Sequence, residues 1–334
     1  MPQPINDQIL AAWRALSAGD NADGWRSIAI SGGREGKLLA ARLFPQNCEA
    51  LLAGFDGVSL PALSLLPSGS GFRVERISTG NAGTWLALVR QPQGSVDMFA
   101  RMAADLVSIL SENLQVGEQL RMQLYLGRIR AWQHFMSSGG RTLGPEAELG
   151  LAGELHCLDM LIDAGIPVGK VVEAWLGPFD GLQDFALGHG AIEVKSTLAQ
   201  SGFRAKILSL EQLDDSVRSP LFVCGCRFAC GPTGQTLPER IVRLRERLSA
   251  DSAAFALFDS ALLRAEYTDS DAQHYTRALV PVEVRFLEVN EAFPRLLPGT
   301  VPDGVRAVRY EVELDSVRGR DISLAEVIEM IGLG

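Results

Sequence analysis

The chain has 334 residues, 47% of them hydrophobic, which is enough apolar material for the core of one large domain or two modest ones. Its formal net charge of -9 excludes a uniformly basic surface for nucleic acid, so phosphate contacts would need a local cluster of Lys and Arg or a basic partner. The apolar runs are too short to span a membrane, residues 1–7 do not resemble a signal peptide, and the five cysteines are an odd number, so we expect a cytoplasmic protein without membrane contact.

The sequence is expected to divide into an N-terminal α+β module over residues 1–92, a helical connector over residues 93–143, and a larger α/β domain over residues 144–334. The module should begin with a short amphipathic helix near residues 7–18. Several β-like runs separated by Gly, Pro, Ser and Asn then predict a small sheet, with strands at residues 25–30, 38–44, 71–77 and 84–90.

No catalytic grouping is found in the first half of the sequence. The run from Gly32 to Lys37 invites comparison with a phosphate-binding loop, but its spacer is one residue short and Leu38 replaces the required Ser or Thr. We interpret this run as a hairpin turn. Apolar residues at helical spacing predict helices between residues 97 and 136. The expected role of this half is docking to a partner or shaping a DNA groove.

The larger domain is predicted to begin with a helix over residues 145–164. Pro145 suits the first turn, Glu146 suits the positive N-terminal end, and Gly165 marks the stop. Glu154 falls inside the apolar stripe of this helix. A carboxylate there either reaches the edge of the stripe or meets a cation or a hydrogen-bond donor, because burying it unpaired costs on the order of several kcal/mol.

Residues 183–195 are predicted to form a two-strand hairpin with all their charge on one face. A two-residue loop at His189 and Gly190 would pair residue 187 with 192, 185 with 194, and 184 with 195. Side chains alternate along a strand, so Asp184, Glu193 and Lys195 share the face opposite the apolar residues. At Cβ separations of roughly 5 to 8 Å, the two carboxylates are close enough to share one divalent cation.

Plainer interpretations of these residues remain open. Asp–Lys pairs across strands are common at surfaces, where they contribute only about 0.2 to 1 kcal/mol. Asp180 is a rival ligand with the strand parity of Asp184, although it would lie about 13 Å further along an extended strand. His189 is near enough to reach a metal or a phosphate, but a histidine in a hairpin loop is usually an ordinary polar residue.

An arginine-bearing helix is expected after Pro238. On it, Arg240, Arg243 and Arg247 recur at helical spacing and are candidates for contacts with DNA, with a solvated surface as the plainer interpretation. The cysteines at positions 224, 226 and 230 lack the spacing of a zinc site, and we interpret them as structural thiols. The remaining elements predicted after residue 195 are strands at residues 205–208, 221–229, 279–289 and 305–314, and a helix at residues 324–331.

Asp184, followed after eight residues by Glu193, Val194 and Lys195, resembles the PD-(D/E)XK signature of restriction-endonuclease-like nucleases. The chain also resembles an uncharacterised bacterial family described as PD-(D/E)XK motif proteins. This resemblance rests on the signature residues together with residues 175–178 and the glycine- and glutamate-bearing helical segment 149–155. The chain departs from the superfamily pattern in one respect, since Gln183 stands where the naming proline is expected. The resemblance implies a restriction-endonuclease-like α/β core, a mixed sheet sandwiched by helices, beside the smaller α+β module.

The resemblance further implies a Mg²⁺-dependent DNA endonuclease, with Mn²⁺ able to substitute, that hydrolyses phosphodiester bonds and leaves a 5′-phosphate. Asp184, Glu193, Glu154 and the Val194 carbonyl would hold the metal, and Lys195 would act on the attacking water as a base or as a positioning charge. The genomic company of the family implies a subunit of a bacterial restriction or anti-phage defence system, with other subunits or a homodimer as partners. The alternative is a nuclease fold that no longer cuts and serves as an assembly or DNA-docking module, which the acidic charge and the missing proline favour.

Overall fold

The computed structural model describes residues 5–17, 23–30, 37–69, 71–77, 84–137, 139, 142–305, 307–317 and 321–333. The chain separates into two compact units, Met1–Gly140 and Arg141–Gly334. The helices predicted between residues 97 and 136 lie in the first unit. Within the described ranges, no helix combines the length and the apolar character needed to cross a membrane.

The first unit contains an antiparallel six-stranded sheet in the order β1-β2-β3-β6-β5-β4. Strand β3 was not predicted, because its residues are buried throughout and show no alternation of apolar and polar side chains. The hairpin turn predicted for residues 32–37 lies outside the described residues, apart from Lys37 itself. The elements of this unit are α1 (Ile5–Ser17), β1 (Gly24–Ala29), β2 (Leu38–Phe44), β3 (Cys48–Phe55), β4 (Ser68–Gly69), β5 (Phe72–Ile77), β6 (Thr84–Arg90), α2 (Val96–Glu112) and α3 (Glu118–Ser137).

The second unit contains a four-stranded mixed sheet in the order β11-β10-β8-β7 and a two-stranded antiparallel ribbon of β9 and β12. Helices α5 and α7 were not predicted, and the strand predicted at residues 305–314 is regular only at its end. The elements are α4 (Pro145–Asp163), α5 (Val168–Ala174), β7 (Phe185–Leu187), β8 (Gly190–Thr197), β9 (Arg204–Ile207), β10 (Leu221–Gln235), α6 (Leu237–Leu248), α7 (Ser252–Arg264), β11 (Leu279–Glu288), β12 (Tyr310–Glu313) and α8 (Leu324–Met330).

Strand β8 is an inner strand of the mixed sheet, parallel to β10 on one side and antiparallel to β7 on the other. One face of this sheet packs against α4 and the helices that follow, around apolar residues such as Leu155, Ile192 and Phe222. The other face is covered by the ribbon of β9 and β12, around Ala205, Val223 and neighbouring residues. Both faces of β8 are therefore buried, and its polar residues are held in a packed environment.

Helix α4 forms over almost the predicted residues and packs on β8. Gly144 is its N-cap with Pro145 in the first turn, and Gly165 follows its end with a φ of 91°. The approach to β8 is closest at Gly153, where an added Cβ would lie 1.9 Å from Ser196 Oγ. A larger residue at position 153 would therefore force the Ser196 side chain to move.

Candidate active site

The predicted hairpin forms, but its register differs from the prediction by two residues. Strands β7 and β8 pair Leu187 with Gly190 and Phe185 with Ile192, so the two-residue loop is Gly188 and His189. The predicted pairs of residue 187 with 192, 185 with 194, and 184 with 195 are therefore wrong, as is the loop predicted at residues 189 and 190.

Gly188 and Gly190 are needed for different reasons, which the sequence pattern could not distinguish. Gly188 takes a positive φ of 55°, while an added Cβ at Gly190 would lie 2.6 Å from the nearest carbonyl oxygen, beside the C-terminal helix. A shift of two residues leaves every side chain on its predicted face. The observed register extends to place Asp184 beside Glu193, whereas the predicted one placed it beside Lys195.

The edge of β8 is open at Val194, because β7 begins only at Phe185. Here the Val194 backbone N–H donates to Asp184 Oδ2 at 2.7 Å. By contrast, the Ala191 N–H donates to the Pro220 carbonyl on the β10 side of the strand. The N–H and C=O of one strand residue point to the same side, so the Val194 carbonyl faces the open edge together with Asp184. Two of the predicted metal ligands thus meet at this edge.

Glu193 and Lys195 flank Val194, and their side chains lie on the face of β8 that packs toward the ribbon. Glu193 is only 1% exposed. Lys195 Nζ lies 2.7 Å from Glu193 Oε1, and the lysine side chain is 12% exposed. This contact places the predicted lysine directly beside one of the predicted metal ligands.

Glu154 reaches the same edge from helix α4. Its Oε2 accepts a hydrogen bond of 2.7 Å from Trp175 Nε1, which supplies the donor that a carboxylate in an apolar stripe requires. An added Cβ at Gly177 would lie 2.8 Å from both Glu154 Oε2 and Asp184 Oδ1. The carboxylates of α4 and the hairpin therefore converge on one point, which a side chain at position 177 would fill.

Burial raises the pKa of all three carboxyl groups, and the charge of Asp184 adds to the effect at Glu154 and Glu193. Burial followed by the charge of Asp184 raises the pKa of Glu193 to about 8, against the opposing charge of Lys195. The same two causes raise the pKa of Glu154 well above its ordinary value. Burial also raises the pKa of Asp184, opposed by the hydrogen bond from Val194. One lysine faces three carboxyl groups, so the cluster is short of positive charge.

The donor set of this cluster suits a hard divalent cation, since carboxylate and carbonyl oxygens are the ligands that Mg²⁺ prefers. A cation would also supply the missing positive charge and favour the ionised carboxylates. Within the described ranges, no three His, Cys, Asp or Glu side chains are arranged as a complete metal-binding group. Each carboxylate instead contacts a protein donor, Trp175, Val194 or Lys195. The residues thus fit Mg²⁺ by charge and chemistry, and binding it requires some of these contacts to be exchanged.

The cluster lies in a cleft of about 600 Å³ that Asp184, Glu193, Val194, Lys195 and Glu154 all line. The sequence analysis missed two cationic residues of this cleft, Arg204 and Lys206 of β9. Alternation along β9 indicates that both side chains project from one face, but only the fold shows which cleft that face borders. Other lining residues are Glu146, Gly150, Ser196, Thr197 and Gln212.

A family described as "Putative PD-(D/E)XK family member, (DUF4420)" matches residues 9–315. The chain belongs to this family. The resemblance seen in the sequence is therefore confirmed, and the mixed α+β architecture is that of a PD-(D/E)XK nuclease-like fold. No curated protein and no solved structure matches the chain significantly.

The three arginines predicted to contact DNA lie on α6 in this PD-(D/E)XK family member, outside the lining of the cleft. Arg240 is 3% exposed and packs over an aromatic ring. Arg243 and Arg247 both pair with Asp159 of α4, and Arg247 also pairs with Asp163 at 2.7 Å. These ion pairs tie α6 to α4. A contact of the three arginines with DNA stays a prediction.

The rival residues of the sequence analysis lie elsewhere in the fold. Asp180 is an exposed residue with a φ of 58° after a 3-10 turn, so the extended strand assumed for it is not formed. His189 is at the exposed hairpin tip, where its backbone N–H donates to the Ile331 carbonyl. Cys224 and Cys226 are buried free thiols in the core, and Cys230 is exposed. None of these residues lines the cleft that contains Asp184, Glu193 and Glu154.

Proposed function

We propose that the second unit is a Mg²⁺-dependent nuclease that hydrolyses phosphodiester bonds of DNA. Asp184, Glu193, Glu154 and the Val194 carbonyl would hold the metal, with Mn²⁺ as a substitute. Bound there, a divalent cation neutralises charge on the scissile phosphate and makes water nucleophilic near neutral pH. Lys195 is the residue that acts on the attacking water.

The observation that carries this proposal is the excess of carboxyl groups at the open edge of β8. Glu193 is buried and Glu154 and Asp184 are half-buried, and the charge of Asp184 raises the pKa of both Glu154 and Glu193. Packed cores rarely keep such groups without compensation, because each buried charge needs a partner. When all three are ionised, Lys195 would compensate one carboxylate and a divalent cation would compensate the other two. Perturbed groups of this kind in a cleft are typical of functional sites.

The protein groups have separate tasks in this scheme. The Val194 N–H fixes the orientation of Asp184, and the Trp175 indole fixes that of Glu154. The short contact with Glu193 holds Lys195 beside the predicted metal ligands, where it would orient the attacking water and the phosphate. In-line attack by this water on phosphorus would then form a P–O bond and break the bond to the 3′ oxygen, leaving a 5′-phosphate and, once that oxygen is protonated, a 3′-hydroxyl.

The biological setting is a further part of the proposal. A nuclease of this family would act as a subunit of a bacterial restriction or anti-phage defence system, with other subunits of the system as partners. Cutting both strands of a duplex would suit a homodimer, since each copy has one cleft of this kind in its second unit.

The direct test is cleavage of supercoiled plasmid and of phage DNA by the full-length protein in Mg²⁺ or Mn²⁺. We expect nicked or linear product carrying 5′-phosphate ends, and none in a chelator. Asp184→Asn, Glu193→Gln and Lys195→Ala should each reduce the rate by roughly a hundredfold or more, with the fold retained by circular dichroism. Lys170→Ala serves as the matched control, since Lys170 is an exposed lysine that does not line the cleft. Cleavage that persists in all three site variants would refute the assignment.

A second candidate is a protein of the same fold that docks on DNA or on a partner without cutting. One observation favours it: no complete metal-binding group is formed by the described side chains. This candidate expects no Mg²⁺ binding that depends on Asp184. Calorimetric titration of the wild type and Asp184→Asn with Mg²⁺ separates the two, because millimolar or tighter binding lost in the variant supports the nuclease.

A further inference from the structure

We propose that the cleft binds the phosphate backbone of duplex DNA through Arg204 and Lys206, and that the Glu146 carboxylate occupies the phosphate position at Lys206 until DNA displaces it. The inference rests on the proposed function, because it assigns the substrate-binding wall of the same cleft.

The two cationic residues are held in a fixed relation by strand β9. They lie two residues apart, so their side chains leave the same face about 7 Å from one another, a spacing of the order of that between successive phosphates of one DNA strand. The intervening Ala205 is 2% exposed and Ile207 is 1% exposed, and both anchor the strand in the core beneath. Two cations on a rigid strand therefore face the cleft that contains the carboxylates.

Lys206 currently binds a carboxylate in the way it would bind a phosphate. Its Nζ donates to both oxygens of Glu146, at 2.7 and 2.8 Å. The side chains of Lys206 and Glu146 are 55% and 84% exposed, so neither needs this pair to compensate for burial. Exposed pairs contribute little to stability and are weakened by salt, so a phosphate can replace the carboxylate without disturbing the fold.

A simpler explanation is that Arg204 and Lys206 only form ordinary cross-strand pairs with acidic residues of β12. Glu313 and Glu311 of β12 pair in register with Arg204 and Lys206. However, the two glutamates line a separate groove beside Tyr310, whereas Arg204 and Lys206 line the carboxylate cleft. The hydrogen bonds of Lys206 go across the cleft to Glu146 on α4. Glu311 adds its charge at Lys206, but the hydrogen bonds of this lysine cross the cleft to α4, which an ordinary cross-strand pair would not do.

The side of the cleft that contains Arg204 and Lys206 suits duplex DNA better than it suits a single strand. None of the described residues that line the cleft is aromatic, so it offers no platform on which unpaired bases stack. Binding of a duplex without base contacts needs only cations placed against phosphates. Charge without stacking is what Arg204, Lys206 and Lys195 supply.

Equilibrium binding of a labelled duplex, measured by fluorescence anisotropy across a range of salt concentrations, tests the proposal. The protein is used in a chelator, so that no DNA is cut. Arg204→Gln and Lys206→Gln should each lower the salt dependence by about 0.9 in the log–log slope, and weaken binding roughly eightfold at about 0.1 M salt. Glu146→Gln should tighten binding, by up to the same factor. Lys170→Gln removes an exposed lysine outside the cleft and should bind as the wild type does.

Several outcomes would overturn the proposal. They are duplex binding by Arg204→Gln and Lys206→Gln that equals that of Lys170→Gln, a Glu146→Gln variant no tighter than the wild type, tighter binding of the single strand, or no binding by the wild type. Thermal denaturation confirms that each variant is folded. If Lys195→Ala abolishes cleavage while the β9 variants bind normally, this inference fails and the nuclease stands. If the β9 variants lose binding but the wild type never cuts, the nuclease fails and this inference stands.

Discussion

Binding of Mg²⁺ to the carboxylate cluster should release a proton from Glu193. Because burial and Asp184 raise its pKa to about 8, roughly nine in ten of these carboxyl groups are protonated at pH 7 in the metal-free protein. A carboxyl group binds a metal in its ionised form, so binding at pH 7 displaces close to one proton from this residue. Through Glu193 alone, the apparent dissociation constant for Mg²⁺ should therefore fall roughly 50-fold from pH 6 to pH 8, and the raised pKa of Glu154 adds to this dependence.

The same shift fixes the sign of the stability change in the metal-free protein. The folded protein holds the Glu193 proton more tightly than the unfolded chain, where the pKa is 4.5. The contribution of this group to the free energy of unfolding is therefore full below pH 4.5 and is lost as the pH rises toward about 8. Saturating Mg²⁺ should then raise the melting temperature more at pH 8 than at pH 6, because at pH 8 it binds more tightly.

Isothermal titration calorimetry provides the assay. Titration with Mg²⁺ at pH 7 in two buffers of different ionisation enthalpy gives the number of protons released, and titrations at pH 6, 7, 8 and 9 give the pH dependence. Glu193→Gln should bind Mg²⁺ more weakly and lose the part of this dependence that Glu193 contributes, while the part due to the raised pKa of Glu154 remains. The reasoning is refuted if the wild-type dissociation constant is the same at pH 6 and pH 8, or if Glu193→Gln keeps the full dependence.

Three further predictions concern the residues that place the carboxylates. Gly177→Ala puts a methyl group 2.8 Å from two carboxylate oxygens and should lower Mg²⁺ affinity and cleavage at least tenfold, as titration and single-turnover assays will show, while an unaltered affinity would contradict this. Trp175→Phe removes a hydrogen bond that lowers the pKa of Glu154, so the pH–rate profile should move to higher pH, and an unmoved profile would argue against the role of the indole. Gly153→Ala should lower the free energy of unfolding by about 1–3 kcal/mol, because its Cβ would lie 1.9 Å from a side-chain oxygen of β8. Gly150→Ala on the same helix is the control, since its Cβ meets nothing within 4 Å, and equal denaturation midpoints for the two variants would contradict the close approach.

Local sequence signals predicted most of the strands and helices. Pro145 and Gly165 mark the ends of α4 because the first turn and the C-terminus of a helix have their own residue preferences. Alternation of side chains likewise placed Asp184, Glu193 and Lys195 on one face. This assignment survived a wrong register, because the shift was by two residues.

What the sequence could not predict depends on contacts between distant segments. Choosing between Gly188 and Gly190 as the turn residue requires knowing that the C-terminal helix packs against the hairpin. The sequence pattern also indicates that a basic side chain is exposed, but it does not show which acidic residue pairs with it. Arg243 and Arg247 therefore resembled a DNA-binding face, whereas Asp159 of α4 lies beside them in the fold. Conversely, the sequence did not indicate that Arg204 lines the cleft.

The net charge of -9 does not oppose DNA binding in the cleft, because salt limits the reach of exposed charges to about 8 Å under physiological conditions. The local balance decides instead. Four acidic and three basic side chains line the cleft, which leaves one negative charge in excess when all are ionised. A single divalent cation reverses that sign. Duplex binding by Lys195→Ala, which keeps every carboxylate, should therefore tighten when Mg²⁺ is added at constant ionic strength, and Asp184→Asn should abolish most of this gain. Anisotropy titrations that show equal affinity with Mg²⁺ and with chelator would mean that the carboxylates and the basic wall do not act on the same phosphate backbone.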